Sequence, residues 1–163
     1  MRDESLLWRP VSASIGGIER LFRQLDRVPY AVLALPLRFA VATVFWNSGG
    51  MTKLADWNAT LSLFIDEYQV PLLPPELAAN LALAIEVTMP VLLVLGLLTR
   101  AAALLLLAMT AVIEIFVYPQ AWPTHIQWAA MLLVLLCRGA GSLSLDTPIQ
   151  RIWVRSQRAM TRI

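Results

Sequence analysis

Apolar residues in this chain fall into long runs separated by short polar breaks. The first extends from about Ala31 to Gly50 and is interrupted by Arg38 and by the polar Asn47 and Ser48. A second runs from about Glu76 to Leu98 with Glu86 at its middle, a third from Ala101 to Tyr118 with Glu114 inside, and a shorter fourth from about Ala121 to Cys137. A helix of about 20 apolar residues crosses a hydrocarbon core of roughly 30 Å. Each run is therefore read as a membrane span. Thr99 and Arg100 alone separate the second and third, which predicts an antiparallel hairpin, and Pro119 to Pro123 marks another tight turn.

The flanking segments carry a different period. Ile15, Ile18, Leu21, Phe22 and Leu25 recur at helical spacing opposite Glu19, Arg20, Arg23 and Asp26. After the start signal Asp146-Thr147-Pro148, residues Ile149, Ile152 and Trp153 face several arginines. Both tails read as helices lying on a membrane surface. Between the first two spans, Trp57, Leu61, Phe64 and Tyr68 share a helical face and predict a short amphipathic helix, ended by Pro71, Pro74 and Pro75. The expected architecture is an all-α transmembrane four-helix bundle with N- and C-terminal amphipathic interfacial helices. Its parts are an N-terminal tail (1–30), a four-span region (31–138) and a basic C-terminal tail (139–163).

Composition agrees with lipid as the solvent. Of 163 residues, 58% are hydrophobic and 15% charged, against about 45–50% and about 25% in soluble domains. The net charge of +2 could point to nucleic acid, but the basic residues divide between the chain ends, so a nucleic-acid partner is not expected. Arg2, Arg9, Arg20, Arg23 and Arg27 precede the first span; Arg100 lies in the 2–3 turn; Arg138, Arg151, Arg155, Arg158 and Arg162 follow the fourth. Lys53 is the one basic residue of the 1–2 connection, and the 3–4 turn has none. By the positive-inside rule both termini are cytoplasmic, in an inner membrane of bacterial type. The chain has one histidine, His125, and one cysteine, Cys137. An internal disulfide, a bis-histidine haem and a His/Cys metal site each need more ligands than that. Cys137 reads as a packing residue or a lipidation site.

Ionisable residues within spans require partners, because an unpaired charge there costs several kcal/mol. Arg38, Ala42, Phe45, Gly49 and Lys53 share one face of the first span, which directs both cations into the bundle. Gly49 and Gly50 permit close approach of another helix there. Depth along the helices pairs Arg38 with Glu86 near mid-membrane and Glu114 with His125 farther out, with Trp46 and Asn47 approaching that outer level. The candidate intramembrane site is thus Arg38, Trp46, Asn47, Lys53, Glu86, Glu114 and His125. Such pairs are either architectural or functional, and residue type alone does not decide between them.

Several of these segments resemble one family. The run FWNSGGMTKL from Phe45 to Leu54, the Glu86 helix with its ending LLVLGLLTRAAAL from Leu92 to Leu104, and the tail CRGAGSLSLD from Cys137 to Asp146 are similar to DoxX-like membrane proteins. Ala140 stands where the family's exit turn usually has proline. The resemblance implies a four-helix integral membrane protein and an association with thiosulfate:quinone oxidoreductase, quinol oxidase or oxidative-stress assemblies.

Function must still be argued from the site. One reading is a membrane subunit or accessory protein of a redox complex, with a protein partner or a second copy completing a quinone pocket and the partner supplying the redox centre. A second is a small proton-coupled carrier using Glu86 and Glu114, although no internal repeat is present. A third is a structural assembly factor. An independent hydrolase has the least support, since no nucleophile and base are paired by the sequence.

Overall fold

The computed structural model describes residues 9–150 and residue 152, with side chains from residue 17 onward. Every regular element among them is helical. Helix α1 (Arg9–Leu25) precedes the long helix α2 (Tyr30–Ala55), which contains a π-helical turn at Trp46–Gly50. Helix α3 (Trp57–Leu63) continues into a π turn at Phe64–Tyr68, and α4 covers Pro75–Leu95. Helix α5 (Thr99–Val117) ends in a third π turn at Ile113–Val117; a 3-10 turn at Pro119–Ala121 then leads into α6 (Trp122–Arg138). Residues 146–150 form a further helical turn.

Helices α2, α4 and α5 are long and apolar enough to cross a membrane. Helix α6, with 17 residues, has a length of about 25 Å at the usual helical rise. The four pack in a ring, α2 against α4, α4 against α5, α5 against α6 and α6 back against α2. One core joins them: Val41, Ala42 and Phe45 of α2, Leu93 of α4, Ala102, Ala103 and Leu106 of α5, and Leu132 and Leu135 of α6. Most large apolar side chains outside that core are exposed, Leu33, Phe39, Leu104 and Leu133 among them, as a bundle solvated by lipid requires.

Three boundaries differ from the sequence reading. The first span extends to Ala55, because the π turn carries the helix past Gly49 and Gly50 without a break. The connection between α4 and α5 is Gly96–Leu98, not Thr99 and Arg100; Gly96 (φ 66) and Leu98 (φ 50) turn the chain in left-handed conformations, and Thr99 begins α5. Helix α3 ends at Gln69, whose φ of 39 stops it before the prolines; Pro75 instead opens α4 at its first turn. The amphipathic face foreseen for α3 does pack, with Phe64 buried and Trp57, Leu61 and Tyr68 against Ala78, Ala79 and Ala82 of α4.

In α1, Ile18, Leu21, Phe22 and Leu25 are all more than half exposed, and Arg23 meets Glu19 at 3.6 Å on the surface. The side chain of Ile15 and the C-terminal face of Trp153 and its arginines lie outside the described residues.

Candidate functional site

Two polar layers lie inside the bundle, and they are built differently. Arg38 forms the first. Its side chain is 2% exposed, the bulkiest of the fully buried ones. Nε donates to Leu93 O at 2.6 Å, Nη2 to Val94 O, and Nη1 to Leu143 O at 2.8 Å and to Ala140 O at 3.4 Å. Leu93 and Val94 belong to the last turn of α4, where carbonyls run out of intrahelical donors. The guanidinium therefore closes that helix end onto the segment that follows α6.

The expected Arg38–Glu86 pair does not form. Arg38 is occupied by the carbonyls of Leu93 and Val94, about two helical turns from Glu86 along α4. Gly96 is obligatory beside it: with φ 66, a Cβ there would meet Arg38 Nη2 at 2.8 Å and Ser144 Cβ at 2.5 Å. Asp146 completes this clasp, with Oδ1 accepting from Leu98 N at 2.8 Å and Oδ2 from Thr99 N at 3.1 Å, while its own N–H donates to Gly96 O at 2.9 Å. The glycine, the Thr-Arg turn and the Ser-Leu-Asp tail are thus parts of one joint.

The second layer consists of side-chain pairs. Lys53 Nζ lies 2.7 Å from Glu86 Oε2, with side chains 13% and 5% exposed. Oε2 makes no hydrogen bond of good geometry, so the pair is held by charge more than by alignment. Gly49 and Gly50 make room for it. A Cβ on Gly49 would overlap the Glu86 carboxylate, and one on Gly50 would meet Glu86 O at 3.1 Å. The face carrying Arg38, Ala42, Phe45 and Gly49 is buried, and Lys53 on that face reaches Glu86 from the last turn of α2.

The other pair is His125 Nδ1 with Glu114 Oε2 at 2.6 Å, joining the π turn of α5 to the first turns of α6. With Glu114 ionised, Nδ1–H donates and the ring is fixed, leaving Nε2 as its second hydrogen-bonding atom. Both residues line a cleft of about 340 Å³ between α5 and α6, whose other walls are Leu107, Thr110, Ala111, Trp122, Ile126 and Ala129. His125 is 5% exposed overall, and its ring lies 5.1 Å from that of Trp128, which in turn packs edge-on against Phe45 at 5.5 Å. Trp128 is thus the aromatic of this layer. Trp46 is half-buried elsewhere on α2 and Asn47 is exposed, and neither joins either pair.

Two participants had no sequence signal. Thr110 contributes to the cleft wall while its Oγ1 bonds back to Leu106 O at 2.8 Å, a local contact any helical threonine can make. Tyr118, just beyond α5, donates its hydroxyl to Glu67 Oε1 at 2.5 Å, and its ring packs 5.7 Å from that of Tyr68. That hydrogen bond, with partial burial behind it, raises the Tyr118 pKa above the ordinary tyrosine value. The contact fastens α3 over the end of α5 that bears Glu114.

Against known proteins, the profile of the DoxX family matches residues 33–119. An uncharacterized protein of Haemophilus influenzae is 31% identical over 134 residues, covering 75% of this chain and 86% of its own length. No solved structure matches the chain significantly. The profile takes in Arg38, Lys53, Glu86, Gly96 and Glu114, but stops before His125 and Asp146.

Proposed function

Because this chain belongs to the DoxX family of membrane proteins, we propose that it acts as a membrane subunit of a quinone-linked or oxidative-stress redox assembly. In this reading α2, α4, α5 and α6 all cross the cytoplasmic membrane, with both termini on the cytoplasmic side, together with the arginines of the two tails and Arg100 at the start of α5. The observation that carries the proposal is the Glu114–His125 pair in the wall of an otherwise apolar cleft. A ring with one or two oxygen substituents on an isoprenoid body fits such a place, since small-molecule sites are mostly apolar with few polar groups. With Nδ1–H given to Glu114 and the ring so fixed, His125 Nε2 would accept from a hydroxyl of the reduced, quinol head group, and Trp122 and Ile126 would flank the apolar body. A quinone supplies two-electron redox capacity. The electron donor or acceptor belongs to a partner protein.

The test is purification from native membranes in mild detergent, followed by identification of co-purifying proteins and lipids. An associated oxidoreductase and bound quinone are expected; a chain that emerges alone and free of quinone overturns the proposal. The carrier reading has one observation in its favour, the buried Lys53–Glu86 pair. Close packing of Gly49 and Gly50 against Glu86 leaves that pair enclosed. Solute and proton flux in liposomes, unchanged on neutralising Glu86 and Glu114, would dismiss it.

A further inference from the structure

A second cleft, of about 500 Å³, opens at the opposite end of the bundle, where α5 begins and α6 ends. Its walls are Leu98–Ala101, Arg138–Gly141, and Ser144, Asp146, Thr147 and Gln150. Arg100 is the second residue of α5 and Arg138 the last of α6, so in a membrane both lie at headgroup depth.

The charge in this cleft is unbalanced. Its one carboxylate, Asp146, is spent on the amides of Leu98 and Thr99. Neither arginine meets a carboxylate among the described residues. Among the described residues Arg100 reaches Cys137 O, at 3.3 Å, and the Arg138 guanidinium stacks 5.2 Å above the Tyr30 ring. Each guanidinium carries five N–H donors, so most remain unused, and both side chains are exposed. Two further features mark the same wall. The amides of Arg100 and Ala101, next after the pair that Asp146 takes, have no intrahelical acceptor. Thr99, 0% exposed, has its Oγ1 buried without a hydrogen-bond partner among the described residues.

We propose that this cleft binds a phosphate group, presented by the headgroup of an anionic glycerophospholipid. A phosphate diester offers several acceptor oxygens at once, matching two planar guanidinium forks beside a helix N-terminus. The lipid is the favoured source because the cleft lies at the membrane surface, on the end of the bundle where Arg27 precedes α2, Arg100 opens α5 and Arg138 closes α6. The proposal is independent of any redox role.

The test titrates the purified full-length chain, in neutral detergent, with short-chain phosphatidylglycerol, reading lipid retention by native mass spectrometry. Saturable binding of one lipid per chain is expected. Arg100→Gln and Arg138→Gln should each weaken it about fivefold, and the double variant about 30-fold. Arg23→Gln, an exposed cation on α1, should leave it unchanged. Arg100→Lys and Arg138→Lys, checked for unaltered melting, keep the measurement interpretable if a glutamine variant fails to fold, and should retain saturable binding. Displacement of the lipid by inorganic phosphate at equal concentration would sustain the phosphate site while assigning it to a soluble ligand. Equal retention of phosphatidylcholine, equal weakening by Arg23→Gln, or the absence of saturable binding by either probe would overturn the proposal.

Discussion

Arg38 and Lys53 sit on the same buried face of one helix, and they are used in opposite ways. Arg38 gives its donors to the backbone carbonyls of Leu93, Val94, Ala140 and Leu143, with no carboxylate among its partners. Lys53 meets a single side chain, Glu86, through one short contact. A guanidinium shared among carbonyls locks segments together by geometry. A cation paired with one carboxylate depends wholly on that partner. The same contrast separates the two ends of the bundle. One end is a joint of Arg38, Gly96 and Asp146; the other carries titratable pairs, one of them lining a cleft.

If this comparison is right, Arg38→Ala should have the largest effect. It takes the guanidinium donors from four carbonyls, of which Leu93 O keeps the Gly96 N–H, and empties a large buried volume, and about 4–5 kcal/mol of stability should disappear. Arg38→Lys should recover little of it, because an ammonium cannot reproduce the guanidinium fork. Thermal melting in detergent reads both. A mild phenotype for Arg38→Ala would mean that the joint is held by Asp146 and Gly96 without it.

Glu86→Ala comes next, at about 3 kcal/mol, because it leaves Lys53 buried without its counter-charge. The double variant Lys53→Met with Glu86→Met should regain most of that loss. Were the double variant as unstable as the single, the pair would have to be part of a larger network. Gly49→Ala tests the same layer from the backbone side: the added methyl displaces the Glu86 carboxylate and should cost about 1–3 kcal/mol.

The smallest effect belongs to the outer fastening. Tyr118→Phe removes one exposed hydrogen bond to Glu67 and should cost on the order of 0.5 kcal/mol. Its pH dependence has a definite sign. Folding raises the Tyr118 pKa above 10, so the contribution is complete below pH 10 and is lost as pH rises beyond it toward the folded-state value. Melting followed from pH 8 to 12 should therefore steepen less in Tyr118→Phe than in the parent.

How far the sequence could foretell this follows from what each feature writes into it. Spans are written as long apolar runs, and α2, α4 and α5 were legible to within a few residues. The amphipathic α3 was legible because Trp57, Leu61, Phe64 and Tyr68 repeat at helical spacing. Arg38 was legible as buried but not as to partner, since carbonyl acceptors belong to every residue and leave no pattern. Asp146 looked like the start of its own helix, and residues 146–150 are helical. Its second task, capping α5 about 47 residues earlier in the chain, is a tertiary contact without a local signature. The π turns were invisible too, and the turn at Trp46–Gly50 carries α2 on to Ala55, beyond the expected end. Glu114 and His125 were paired by depth alone, and their geometry brings them to 2.6 Å; Trp46 and Asn47 lay at a suitable depth but away from either pair, because depth does not specify azimuth around a helix.

The central claim is that Arg38 holds the bundle together while Glu114 and His125 serve a ligand. Quinone content per chain, measured after purification from native membranes for the parent, Glu114→Gln and His125→Leu, tests it most directly. The account predicts quinone in the parent and at least a tenfold loss in both variants, with folding intact by melting. Quinone retained at the parental level in both variants, or absent from the parent, would contradict it.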